Sequence, residues 1–195
     1  MKYLKITNKG LIEPLALTLI GASSKRDDAT KIGMFGSGLK YSIAWLLRNN
    51  IPFKIYSGTR QIAFTKKKVK FRDIAFDNIV IDKKPTSMTT DMGMDWEAWF
   101  VIRELYCNAL DEGEATIGIV DEVEASVKPT ETTVFIKITP AIKEILDNWD
   151  SYFSDKRTDL VYEDENGNKM FTGDGSLTIY RKGVRVFYAK DKKSV

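Results

Sequence analysis

The sequence predicts an α+β layered sandwich, helices packed on a mostly antiparallel sheet. Two segments carry apolar residues at helical spacing, 39–49 and 96–113. Short alternating or β-branched runs gather between and after them instead of alternating with helices one for one. The 195 residues, 43% hydrophobic and 29% charged, are enough to bury a real core within one domain.

Taken in order, residues 2–7 alternate as a strand and Asn8-Lys9-Gly10 reads as a turn. Residues 13–20 have helical spacing and stop at Gly21. Residues 23–31 are polar and read as a loop. Gly33-Met34-Phe35-Gly36-Ser37-Gly38 opens the helix of 39–49, whose Leu39, Ile43, Leu46 and Leu47 share one face. Strands follow near 53–57, 60–65, 68–74 and 78–81. A polar, threonine-rich link at 85–93 leads into the second helix. Beyond it, 115–120 and 132–138 read as strands, 140–149 as a short helix, and 151–169 as polar chain with a turn at Asn166-Gly167. The runs 176–180 and 184–188 form a hairpin around Arg181-Lys182-Gly183. No repeat and no domain boundary is visible. The chain reads as one domain, 1–195, with a glycine-rich half (1–84) and a half built on the second helix (94–195).

That second helix is the most informative segment. Wound at 3.6 residues per turn, it places Glu104, Asn108 and Asp111 on one stripe, at i, i+4 and i+7. Most of its remaining circumference is apolar: Trp96, Trp99, Phe100, Ile102, Leu105, Tyr106, Cys107, Ala109 and Leu110. An arc that wide belongs to a helix packed on most sides. A carboxylate, an amide and a carboxylate on the remaining stripe can ligate Mg²⁺ and orient a water. Glu97 and Glu112 lie close to the same stripe, so an ordinary solvated face is the alternative reading.

Composition narrows the chemistry. The chain has no histidine and one cysteine. That excludes serine–histidine and cysteine–histidine catalysis, an internal disulfide and thiolate zinc clusters. Carboxylates, amides, lysines, hydroxyls and backbone amides are left. The formal charge of +3 is too mild to argue for nucleic acid. No run approaches membrane-spanning length, and the first residues lack the pattern of a secretory signal. A cytoplasmic protein is expected.

Glycines at 33, 36 and 38, just ahead of a helix, let backbone approach a ligand closely, and the amides at the helix start favour an anion. The spacing is neither the dinucleotide fingerprint nor a Walker loop. Upstream, Ser23-Ser24-Lys25-Arg26 offers hydroxyls and cations to phosphates, or forms a solvated loop.

RELYCNALDEG resembles the E-x-x-x-N-A-x-D helix motif of the GHKL ATP-binding superfamily, which includes gyrase, heat-shock chaperone, histidine kinase and MutL proteins. IGMFGSGLK resembles that superfamily's G-x-F-G-x-G box, and GASSK the polar lid stretch before it. Asn8-Lys9-Gly10 resembles the D-x-G-x-G box, with asparagine for the aspartate and Ile12 in place of the second glycine. Residues 132–142 run like the strand that enters that box and offer a rival location for it, without its acid or glycines. In the family the helix motif precedes both glycine boxes; here it follows them. The chain thus resembles a circularly permuted, phage-type member, whose compartment would be the host cytoplasm.

The resemblance implies a two-layer α/β sandwich of the GHKL (Bergerat) type that binds ATP or ADP with Mg²⁺ and hydrolyses ATP slowly. It implies that Glu104 is the general base and Asn108 the Mg²⁺ ligand. Gly33, Gly36, Ser37 and Gly38 would wrap the phosphates, with Lys25 adding charge. Asn8 and Gly10 would lie at adenine, Thr178 would assist there, and Asp111 would complete the nucleotide site. The rival reading is a macromolecule-binding module on the same fold, with a weakened or non-hydrolysing nucleotide site and a protein partner of unknown identity. A third is an unrelated α+β protein whose motifs coincide. The run from Lys66 to Arg72 reads as an edge strand protected by lysines, with a nucleic-acid strip as the alternative. Cys107 reads as an inert core thiol.

Overall fold

The computed structural model describes residues 1–13, 17–18, 32, 37–123, 127–171 and 177–189. Two units divide the chain, Met1–Thr139 and Pro140–Val195. The expected class holds: the chain is α+β and its sheets are antiparallel.

The first unit contains β1 (Tyr3–Lys9), α1 (Gly38–Arg48), β2 (Phe53–Ser57), β3 (Arg60–Ile62), β4 (Phe64–Phe71), β5 (Ile74–Ile81), β6 (Lys84–Thr89), α2 (Ala98–Glu112), β7 (Thr116–Val120) and β8 (Glu131–Lys137). Five of these strands form one sheet in the order β3-β2-β8-β1-β7, and β4-β5-β6 form a second. At the centre of the larger sheet β8 carries the unbroken run Val134-Phe135-Ile136, all buried, as a continuous apolar run covered on both faces requires. Beside it Leu4 and Ile6 of β1 and Ile55 of β2 are at most 2% exposed. Each such side chain contributes about 1.5–3 kcal/mol through removal from water.

The two helices are tied to one another near their adjoining ends. Trp45 Nε1 of α1 donates to the carbonyl of Trp96 at 2.7 Å, just ahead of α2. Tyr41 packs edge-on against the Trp96 ring, with centroids 5.2 Å apart. Arg48 ends α1 by donating to the carbonyls of Thr90, Met92 and Gly93, so the guanidinium fork gathers the turn that feeds α2. Gly113, at φ +97°, stops α2 in a conformation that favours glycine. Its amide returns to Ala109 O at 3.2 Å.

The second unit contains α3 (Pro140–Asp147), a 3₁₀ turn (Trp149–Ser151), and a four-stranded sheet of β9 (Leu160–Glu163), β10 (Asn168–Phe171), β11 (Leu177–Arg181) and β12 (Val184–Ala189), ordered β12-β11-β10-β9. Its core is aromatic. Trp149 and Phe153 stack with centroids 4.1 Å apart, and Tyr180 is fully buried and edge-on to Phe171 at 5.4 Å. The expected hairpin around Arg181-Lys182-Gly183 is β11–β12.

Several expected boundaries move. Residues 85–89 of the polar link join Lys84 in β6, and the runs at 60–65 and 68–74 redistribute into β3 and a long β4. Much of the polar stretch 151–169 pairs as β9 and the start of β10. Of the helix expected at 13–20, Leu17 and Thr18 are helical and residues 14–16 and 19–20 lie outside the described residues. The run from Lys66 to Phe71 lies on β4, an edge strand, as expected, and Arg72 falls in the turn after it.

Candidate functional site

The three stripe residues of α2 face different surroundings. Asp111 is 5% exposed, and its Oδ1 accepts the backbone N–H of Ile32 at 2.7 Å. Two turns earlier, Glu104 presses on the start of α1. A Cβ added at Gly38 would lie 2.0 Å from Glu104 Oε2 and 2.7 Å from Cδ. Only glycine admits the carboxylate there. Ile32 and Gly38 are the two ends of the glycine box. The described ends of this stretch therefore meet α2 at two points about 10 Å apart along the helix axis, by a hydrogen bond at Ile32 and a close approach at Gly38. Asn108 lies between the anchors, half-buried, and none of the described residues hydrogen-bonds its amide.

Gly33 and Gly36, together with Lys25, lie outside the described residues. Ser37 caps α1 with its backbone only. Its carbonyl accepts from Tyr41 N–H at 3.0 Å, and its hydroxyl makes no capping bond. Lys40, in the first turn of α1, is 2% exposed, and burial lowers its pKa from the ordinary lysine value.

The Asn8 region joins this site through the sheet. β1 pairs with β7, which leaves α2 after Gly113, and Lys9 N–H donates to Gly113 O at 3.2 Å. Asn8 is half-buried at the end of β1, opposite Thr132, and its Nδ2 donates to Lys9 O at 2.8 Å. Gly10 turns the chain at φ +92°. Its N–H reaches Thr130 O at 2.9 Å and its carbonyl accepts from Thr132 Oγ1 at 2.9 Å. Asn8 and Gly10 thus stand beside the C-terminal end of α2, the Asp111 end. The rival location is split: β8 pairs Glu131 with Lys9 but Lys137 with Tyr3, so 138–139 leave the opposite end of the sheet, and 140–142 belong to the second unit. Thr178 is half-buried on β11 in the second unit, opposite Tyr188.

Arg103 is a participant that sequence reading missed. Its Nη2 and Nε donate to Glu104 Oε1 at 2.7 and 3.2 Å. Neighbours on a helix point about 100° apart, so an adjacent pair does not ordinarily meet. Here the guanidinium lies 5.5 Å from the Trp99 ring centroid and 5.2 Å from that of Phe100, and the aromatic platform turns it toward Glu104. The available signal was the pair of aromatics three and four residues before an arginine. Glu104 therefore has one oxygen held by a cation and the other against the glycine box.

Cys107 is buried, and its thiol is pushed up to about 12, chiefly by burial and then by the Glu104 charge. It stays a neutral core thiol. Among the described residues, no three His, Cys, Asp or Glu side chains converge as a metal site. No helix among them is long and apolar enough to cross a membrane.

No protein-family model, no curated protein and no solved structure matches this chain.

Proposed function

We propose that the unit Met1–Thr139 binds Mg²⁺-ATP at the junction of α2 and the glycine box, in the manner of the GHKL proteins it resembles, and hydrolyses ATP slowly. The observation that carries this reading is the meeting of the box's ends with α2: a hydrogen bond from Ile32 N–H to Asp111 and the close approach of Gly38 to Glu104. Two motifs some 70 residues apart in sequence meet along one helical stripe, which coincidental motifs have no reason to do.

The order of elements supports the permuted reading. Tyr3 at the start of β1 lies opposite Val120 at the end of β7. A short turn joining them would give the order α2, β7, β1, box, which is the order of the family.

Within this reading Asp111 holds the box in place, and backbone amides from Gly33 to Gly38 receive phosphate oxygens. The Ser37 hydroxyl, unused as a cap, adds a donor. Mg²⁺ is a hard ion that takes one or two protein oxygens and completes its shell with phosphates and water. The uncommitted Asn108 carbonyl oxygen suits that role, and the ion would neutralise phosphate charge. Glu104 would accept the proton of the attacking water through the oxygen that Arg103 does not occupy. Asn8 Oδ1 would accept from the adenine amino group while Nδ2 keeps its bond to Lys9 O.

One observation favours the second reading, a macromolecule-binding module with a weak or non-hydrolysing site. Arg103 holds one Glu104 oxygen and Gly38 abuts the other, which leaves little room for an attacking water at the carboxylate. Two variants separate the readings. Glu104→Ala is expected to keep nucleotide binding and lose turnover, by the roughly 10²- to 10⁴-fold that a general base contributes. Asn108→Ala is expected to weaken Mg²⁺-dependent binding itself. Wild-type protein that binds ATP without turnover above background would favour the module. Turnover undiminished in Glu104→Ala would remove the catalytic assignment.

A further inference from the structure

The β4–β5 hairpin contributes none of the residues of the proposed nucleotide site and is built in two halves. Its root is anchored. Phe64 packs on Phe53 with ring centroids 5.4 Å apart, and Lys66 Nζ donates to Leu47 O at 3.0 Å and to Asn50 Oδ1 at 2.9 Å. Beyond Lys66, all of β4 is exposed. Alternation and register put Lys67, Val69 and Phe71 on one face with Ile74 and Phe76 of β5. Phe71 is 64% exposed and Ile74 60%, an apolar patch of a kind that marks interaction surfaces. The opposite face carries Lys68, paired to Asp77 at 3.0 Å, and Lys70. Among the described residues Lys67, Lys70 and Arg72 make no ion pair, and β4 is an edge strand.

We propose that the free edge of β4, from Lys67 to Phe71, receives an extended segment of a partner protein in which apolar and acidic residues alternate. A strand added there would complete its backbone hydrogen bonds along the edge. Its apolar residues would extend the patch of Val69, Phe71 and Ile74, and its acids would meet Lys68 and Lys70. Charge disfavours a second copy of the chain, and the scarcity of stacking surface disfavours a nucleic acid. A second copy would set one lysine-rich edge against another, a repulsion that edge strands use to prevent self-pairing. A single-stranded nucleic acid draws much of its affinity from stacking on aromatic rings. The patch offers one well-exposed ring, Phe71, already under the Arg72 guanidinium at 5.3 Å, with aliphatic side chains around it.

The probe is a labelled peptide of about eight residues alternating valine and glutamate, with its valine–lysine counterpart and a single-stranded oligonucleotide as comparisons. Fluorescence anisotropy measures binding to the full chain, and hydrogen exchange follows the amides from Lys67 to Phe71. The expected result is binding of the glutamate peptide alone, weakened at least about tenfold near 1 M salt, where screening acts within about 3 Å, with slowed exchange along β4. The double reversal Lys68→Glu/Lys70→Glu, on the face that the acids would meet, should exchange the preference to the lysine peptide, with the melting temperature checking that the hairpin survives loss of the Lys68–Asp77 pair. Phe71→Ser should weaken binding without changing the melting temperature. Equal binding of both peptides, or no binding at millimolar peptide, overturns the proposal. So does tighter binding of the oligonucleotide, an unchanged preference in the double reversal, or binding that leaves β4 exchange untouched.

Discussion

Gly38 and Glu104 share a contact that a single methyl group would abolish. Gly38→Ala places a Cβ within 2.0 Å of Glu104 Oε2. The clash is with the end of a flexible side chain, so the carboxylate moves and the helix survives; alanine is the better helix former by about 1 kcal/mol. The expected outcome is an unchanged or raised melting temperature together with at least about tenfold slower ATP turnover, the scale on which small displacements of a catalytic group act. Full activity in this variant would mean that the position of Glu104 is unimportant. At this scale the sequence was partly legible. The helical spacing of Glu104, Asn108 and Asp111 follows from 3.6 residues per turn, and the burial of Cys107 from the apolar arc around it. The Arg103–Glu104 pair was not legible, because adjacent helical residues diverge and only the Trp99–Phe100 platform brings these two together. Nor was the partner of Asp111, since a backbone N–H at Ile32 leaves no mark in residue type.

Two elements, α1 and α2, followed from apolar periodicity because each buries a long stripe. What the periodicity left out is how they are held. Arg48 does that by donating to three carbonyls between Thr90 and Gly93. Hydrogen bonds from a charged group are worth about 1.5–3 kcal/mol, and Arg48→Ala leaves those carbonyls without their donor. The expected loss of stability is of that order, read by denaturant unfolding of the full chain, with Arg48→Lys recovering only part because it lacks the planar fork. A change within about 0.5 kcal/mol would show that the turn holds α2 without it. The strands were harder to place. β6 reads as a link because Lys84-Pro85-Thr86-Ser87 lacks an apolar face, and its partner Asn78 supplies the tie by donating to Thr86 O at 2.7 Å and Met88 O at 3.0 Å. The β4–β5 turn was obscured because Arg72 and Asp73, at φ 48° and 66°, occupy a left-handed turn usually marked by glycine or asparagine.

For the whole molecule, the class and the antiparallel character of its sheets were legible, but the strand order was not. Chain order does not tell that β1 lies between β7 and β8; hydrogen bonding between segments over 100 residues apart decides it. The division after Thr139 was equally silent in composition, since apolar strands and helices occur on both sides. The juxtaposition of the Asn8 turn with the C-terminal end of α2 is a product of this topology, and with it the grouping of the candidate site. The central claim is that this grouping binds Mg²⁺-ATP. The most direct measurement is the melting temperature of the wild-type chain with ATP plus Mg²⁺, ATP without Mg²⁺, and inorganic tripolyphosphate. Ligand at a hundredfold excess over its dissociation constant stabilises the folded state by about 2.7 kcal/mol, a rise of roughly 5–10 °C for a protein of this size. The expected result is a rise of that order with Mg²⁺-ATP and a smaller one without the metal. No rise at millimolar Mg²⁺-ATP, or an equal rise with tripolyphosphate, would contradict the claim.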